Sequence, residues 1–294
     1  MTQMTVLAVG GTGESRPDDR RTEVTGLLSR VAEHLDERFA SRWVGYPASY
    51  GPVAVGGLSY RHSTVAGVRR LIAAIRDVDG PVALIGYSQG CSVIRELLGL
   101  MAKGTVSLPS VMAAGLISDP QQPAGAVDGC VGRGVAGEGP AIPSTVETLW
   151  VGHPQDMICN ASDDSYIRDI ADITRWMSFR TTKIWRRELW QLLRSNGFQN
   201  AAKTGLSPQQ WVRDARRLRV AAGELSGYLP RTVTWGRLRV NNPSGDRHVA
   251  YASEPLDHSG LTGCEILAQW LQVQVTFRPY ELRGFELRAD ELAA

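Results

Sequence analysis

The run Val82 to Gly90, Val-Ala-Leu-Ile-Gly-Tyr-Ser-Gln-Gly, which leads into helically spaced apolar residues from Cys91 to Met101, constrains this chain more than any other stretch. An apolar β-type run that ends in Gly-x-Ser-x-Gly and turns at once into a helix is the nucleophile-elbow pattern. It holds a serine on a strained turn with its hydroxyl clear of the sheet. Gly86 and Gly90 leave room there for strand and helix to approach closely. Glycine and serine are common, so the five-residue pattern carries weight only through the strand before it and the helix after it. Ser88 is the candidate nucleophile on this reading.

The flanking segments fit parallel βα units. Thr5 to Val9 reads as a first strand, Thr22 to Arg38 as a covering helix with His34 on its surface, and Trp43 to Tyr46 as a second strand. Ser63 to Val78 reads as an amphipathic helix stopped by Asp79-Gly80-Pro81 ahead of the central strand. Val111 to Ile117 and Thr145 to Val151 are further strands, and the Gly- and Pro-bearing stretch Ala124 to Pro143 is an irregular loop. Repeated alternation of this kind argues for an α/β fold with a mostly parallel sheet.

Open sheets of this type build their sites at the carboxyl ends of their strands. The first strand runs into Gly10-Gly11-Thr12-Gly13, which lacks the spacing and the Lys of a phosphate loop. It fits an oxyanion loop instead, with Thr12 giving one backbone N–H and Gln89, the residue after the nucleophile, the other. The strand ending at Val151 delivers His153 and Asp156 to the same edge, and Asp156 follows the nucleophile in the chain order of this layout. Asp163 and Asp164 stand nearby as alternative acids. His248 lies in a loop after the last β-type run, where a base belongs, and His258 in the same loop competes with it.

Charge and composition narrow the function classes. A net charge of +2 over 294 residues makes no case for a nucleic-acid partner. No apolar run approaches the roughly 18 residues of a membrane span, and the N-terminus has no secretory pattern. Cys91, Cys130, Cys159 and Cys264 show no Cys-x-x-Cys spacing, so a zinc site is not expected, and the thiols should be mostly reduced inside the producing cell.

From Ser165 to about Pro230 the pattern changes to several Trp- and Arg-bearing helices, read as a lid or substrate-binding cap rather than a nucleic-acid surface. The expected layout is therefore a catalytic domain over residues 1–164 and 231–294, interrupted by an inserted helical subdomain over 165–230. Arg231 to Val240 is again β-type and Gly263 to Val273 is a closing helix. The tail from Thr276 reads as one more strand or a loose surface segment.

Taken in order, Gly11-Thr12-Gly13-Glu14, Gly86-Tyr87-Ser88-Gln89-Gly90, Asp156-Met157-Ile158-Cys159 and His248-Val249-Ala250-Tyr251 resemble the motifs of the cutinase-like serine esterases. The helical insertion between acid and base makes the chain similar to the phage lysin B branch, the mycolyl-arabinogalactan esterases. The resemblance implies a three-layer α/β-hydrolase core and a Ser88, His248 and Asp156 triad that needs no metal or cofactor. It further implies a mycolate ester of the bacterial envelope as substrate and synthesis in an infected host's cytoplasm, followed by action on the outer envelope after release. The competing expectations are an esterase of shorter esters and a non-catalytic scaffold that binds a lipid or glycan in the same cleft. The upstream cysteine that pairs near the acid in cutinases has no counterpart close to Cys159.

Overall fold

The computed structural model describes residues 3–51, 57–178, 182–195, 199, 208–235 and 238–277. At its centre is a five-stranded, all-parallel sheet made of β1 (Met4–Val9), β2 (Phe39–Trp43), β3 (Val82–Tyr87), β4 (Val111–Ile117) and β5 (Glu147–Val151), in the order β2-β1-β3-β4-β5. Alternate side chains of β1, β3 and β4 feed two separate cores. Leu7, Val9, Leu84 and Leu116 pack under α2 (Tyr60–Arg76) and α3 (Gln89–Ala102). Val6, Ala8, Ile85 and Ile117 pack under α1 (Ser29–Glu33) and a C-terminal helix. Because side chains alternate across a strand, a sheet covered on both faces needs near-continuous apolar runs. This is the three-layer α/β core with a parallel sheet that was expected from the sequence.

The order 2-1-3-4-5 reverses direction between β1 and β3, so the loops leaving these two strands diverge and open a crevice at their carboxyl ends. Gly10–Ser15 and the Ser88 turn occupy those two positions.

Two expectations shift. The second strand is Phe39–Trp43 rather than Trp43 to Tyr46. Its register with β1 runs from Met4↔Phe39 to Ala8↔Trp43, after which the chain leaves the sheet and the Tyr46 hydroxyl donates to the Gly10 carbonyl at 2.7 Å. The covering helix expected over 22–38 shrinks to a 3-10 turn at Gly26–Leu28 and α1. Gly26 adopts φ +67°, where a Cβ would collide with the Glu14 carboxyl, and that carboxyl accepts the Leu27 N–H at 2.9 Å, so no helix begins before this point.

Beyond β5 come α4 (Tyr166–Thr174), α5 (Thr182–Ser195) and α6 (Pro208–Tyr228). The β-type run after them does not join the central sheet. It folds on itself as the antiparallel hairpin β6 (Thr232–Trp235) and β7 (Leu238–Asn241). The closing helix α7 (Gly263–Phe277) packs Leu267 and Leu271 on the second core. The expectation for the tail lies, beyond Phe277, outside the described residues.

Arg168 on α4 is fully buried and donates to the carbonyl oxygens of Ser162, Gly134, Arg133 and Ala161 at 2.6 to 3.0 Å. It ties the start of the helical segment to the loop that follows the acid.

Candidate active site

Ser88 ends β3 and caps α3 with φ 52° and ψ −117°, a conformation few L residues adopt. Two glycines make the turn possible. A Cβ on Gly90 would fall 1.9 Å from the Val9 carbonyl oxygen, and one on Gly86 would fall 3.0 Å from the Cys91 backbone. Strand and helix are in backbone contact here, which leaves no room for a side chain at either glycine.

His248 Nε2 lies 3.1 Å from Ser88 Oγ. Its Nδ1 lies 3.0 and 3.2 Å from the two oxygens of Asp156. A carboxylate facing Nδ1 fixes the proton there and leaves Nε2 free to accept from the serine. Asp156 is fully buried, yet it is well supplied with donors. The Ser118 hydroxyl donates to Oδ2 at 2.5 Å, the Tyr251 hydroxyl to Oδ2 at 2.8 Å, and the Ile158 N–H to Oδ1 at 3.0 Å. Burial alone would raise its pKa. The charge and hydrogen bond of His248, followed by those of Ser118 and Ile158, outweigh burial and hold the carboxyl below its ordinary range.

The imidazole is also fixed by packing. Tyr87 stacks on it at 5.2 Å between ring centroids and donates its hydroxyl to the His248 carbonyl at 2.8 Å, while Tyr228, the last residue of α6, lies at 5.3 Å. The His248 side chain keeps 12% exposure, which leaves an edge open to the crevice.

Thr12 and Gln89 meet beside the serine. The Thr12 hydroxyl donates to Gln89 Oε1 at 3.1 Å, and Gln89 Nε2 donates to the Ser49 carbonyl at 3.0 Å. A Cβ on the neighbouring Gly11 would come within 3.3 Å of Ser88 Cβ, so the loop after β1 lies against the elbow. The Glu14 carboxylate shapes this loop by accepting the Gly11 N–H at 2.6 Å. The Gln89 N–H is the first of α3, with no intrahelical acceptor to reach, and neither it nor the Thr12 N–H is hydrogen-bonded among the described residues.

All five residues singled out from the sequence thus converge on one crevice, and the alternatives do not. Asp163 pairs with Arg133 at 3.1 Å and Asp164 with Arg213 at 3.0 Å. His258 is exposed in the Asp257–Gly260 turn. His153 turns its Nδ1 to the Gln155 N–H at 3.0 Å, and burial, reinforced by the Arg247 charge, lowers its pKa.

Tyr87 and Tyr251 stand inside the elbow and base motifs, whereas Ser118 and Tyr228 carry no comparable sequence signal. Ser118 had one weak marker in its place just past the carboxyl end of β4, beside the elbow strand. It is a second serine at positive φ, 53°, and its backbone N–H donates to the Val151 carbonyl at 2.8 Å. Cys130 and Cys159, 29 positions apart in the chain, are close enough for each thiol to influence the other's titration, and all four cysteines are buried free thiols.

A profile of the family described as "PE-PPE domain" matches residues 39–163, a span that includes Ser88 and Asp156 and stops short of His248. No curated protein matches the chain. Among solved structures, the chain is similar to a cutinase-like protein from Cryptococcus sp., with 20% identity and a TM-score of 0.41 over 54% of this chain and 79% of that one. It is also similar to the catalytic core domain of acetyl xylan esterase from Trichoderma reesei, with 21% identity and a TM-score of 0.42 over 59% and 95% of the two chains. For a Trichoderma reesei cutinase in complex with a phosphonate inhibitor, the values are 20% and 0.35 over 65% and 76%.

Proposed function

We propose that the protein is a serine esterase acting on lipid esters through an acyl-enzyme. The observation that carries this reading is the unbroken hydrogen-bond chain from Ser88 Oγ through both nitrogens of His248 to the buried Asp156. Ser88 attacks the ester carbonyl while His248 Nε2 takes its proton. Asp156 holds the Nδ1–H and stabilises the imidazolium that forms. The N–H groups of Thr12 and Gln89 receive the developing oxyanion, a contribution of about 3 kcal/mol per donor to the transition state. His248 then returns the proton to the departing alcohol, and a water activated by the same histidine releases the acid.

The finer reading is hydrolysis of the mycolate ester that joins mycolic acids to arabinogalactan, during phage lysis. It is supported by the ordered motifs and by the helices between acid and base. In this reading residues 165–230 are an insertion that shapes access for a bulky acyl chain. The enzyme is made in the infected host's cytoplasm and reaches the outer envelope after release.

The test has two stages. Wild type should hydrolyse a p-nitrophenyl ester and Ser88→Ala should not, with equal melting temperatures. Turnover in the variant at the wild-type rate sinks the mechanism. Release of free mycolic acid from purified mycolyl-arabinogalactan then separates the mycolate reading from an esterase of shorter esters.

A further inference from the structure

Helix α6 sits on the protein with its apolar stripe outward. Trp211, Ala215, Leu218, Ala222 and Leu225 follow the spacing of one helix face, and all five are exposed, with Trp211 at 69% and Leu218 at 62%. The opposite face does the anchoring: Arg217 is buried and donates to Asp169 at 2.6 Å and to the Asp164 carbonyl at 3.0 Å, and the Glu224 carboxylate accepts the Ser162 N–H at 2.7 Å. A helix that ties itself down by its charges and shows solvent its Trp and Leu inverts the usual globular arrangement.

Cations run along one side of this stripe. Arg216 and Arg219 are exposed and form no ion pair among the described residues. On α5, Lys183, Arg186, Arg187, Leu189 and Trp190 line an open groove of about 520 Å³, with Trp190 65% exposed. Residues 182–195 hold four Lys or Arg against one Glu, and residues 208–228 four Arg against one Asp and one Glu. The two helices therefore carry +5 in a chain whose total is +2, so the remainder is net acidic.

We infer that α6, through its exposed Trp and Leu and the arginines beside them, docks on an anionic lipid surface. Exposed Trp and Leu with arginines alongside are the residues that seat a helix in the headgroup region while phosphates meet the cations. Among the described residues no helix is long and apolar enough to cross a membrane, so the contact is with the surface. It is also next to the chemistry. α6 ends one turn after Leu225, at Tyr228, whose ring faces His248, and the Gly227 carbonyl accepts the Arg247 N–H at 3.0 Å. Docking through α6 therefore sets the crevice at the lipid boundary. Only this last consequence, delivery of an ester, rests on the esterase reading.

Vesicle flotation tests the docking without any turnover, on wild type and Ser88→Ala alike. The vesicles are phosphatidylcholine alone and phosphatidylcholine with phosphatidylglycerol. Both proteins should float with the anionic vesicles and weakly or not at all with the neutral ones, and added salt should release them. The variant W211S/L218S/L225S, altered only at exposed positions, and the variant R216E/R219E should each lose affinity about tenfold or more. Both should keep the wild-type melting temperature and the wild-type rate on a soluble short-chain ester. Flotation that is absent, unchanged in both variants, or equal on neutral vesicles overturns the inference. So does a wild-type dimer that W211S/L218S/L225S converts to monomer, since a second copy then covers the stripe. Tighter binding to single-stranded RNA than to anionic vesicles overturns it too. Loss of esterase activity in wild type with flotation intact would instead count against the proposed reaction alone.

Discussion

Replacement of Ser118 probes how much of the triad's competence depends on a residue outside it. Its hydroxyl is one of the donors to a fully buried carboxylate, at 2.5 Å, and lies 3.0 Å from the same Nδ1 that faces Asp156. A hydrogen bond to a charged group is worth about 1.5 to 3 kcal/mol. If about half of that acts only once His248 carries its transition-state charge, Ser118→Ala lowers kcat/KM about 4- to 13-fold, since about 1.4 kcal/mol is tenfold in rate. The same loss removes a donor that favours the charged carboxyl, so the Asp156 pKa rises. Ser118→Gly separates this from backbone strain. Glycine also lacks the hydroxyl, but at φ 53° it relieves a conformation that costs other residues on the order of 1 kcal/mol or more. Both variants should lose the same activity, with the glycine form melting higher than the alanine form. The assay is hydrolysis of a soluble p-nitrophenyl ester across pH, with thermal melts of all three proteins. An unchanged kcat/KM in both variants would refute the reasoning.

His248→Ala should reduce kcat by several orders of magnitude and His258→Ala should leave it near wild type, both read on the same ester with folding checked by circular dichroism. Gly90→Ala should destabilise the protein by about 3 kcal/mol or more, because its Cβ meets the Val9 carbonyl rather than a flexible side chain, and denaturant unfolding will show it. Asp156→Asn removes a carboxyl whose folded pKa lies below its unfolded one, a state that adds stability above about pH 4 and loses it as pH falls through the folded value. The melting-temperature gap between wild type and this variant should therefore narrow toward acid pH, and a gap that widens there counts against the depressed pKa.

The elbow was legible in the sequence because its determinants are local: an apolar strand, two glycines one on each side of the serine turn, and a helix that starts at once. The parallel character of the central sheet followed from the same alternation, whereas its strand order did not. His248 and Asp156 were legible by their place past strand ends and by their resemblance to known motifs. The Ser118 contact was not, because it joins positions 38 and 130 residues apart through a tertiary approach that leaves no periodicity. The covering helix failed for a comparable reason. Apolar spacing over 22–38 is helical throughout, but Gly26 and the reach of Glu14 from another loop decide where the helix begins. The β-type residues at 231–240 have the right propensity and the wrong partner, since propensity does not say which strand lies alongside.

Ser88 and Ser118 end adjacent strands, both at positive φ, and hold opposite nitrogens of one imidazole. Each conformation costs on the order of 1 to 3 kcal/mol in a non-glycine residue. The energy gradient at these two positions therefore runs toward glycine, and a single substitution at Ser88 both relieves strain and removes the nucleophile. A lineage released from the need for this reaction would lose it at the elbow first and keep the fold, so inactive relatives of this chain should be sought by a glycine in place of Ser88 rather than by decay of the core.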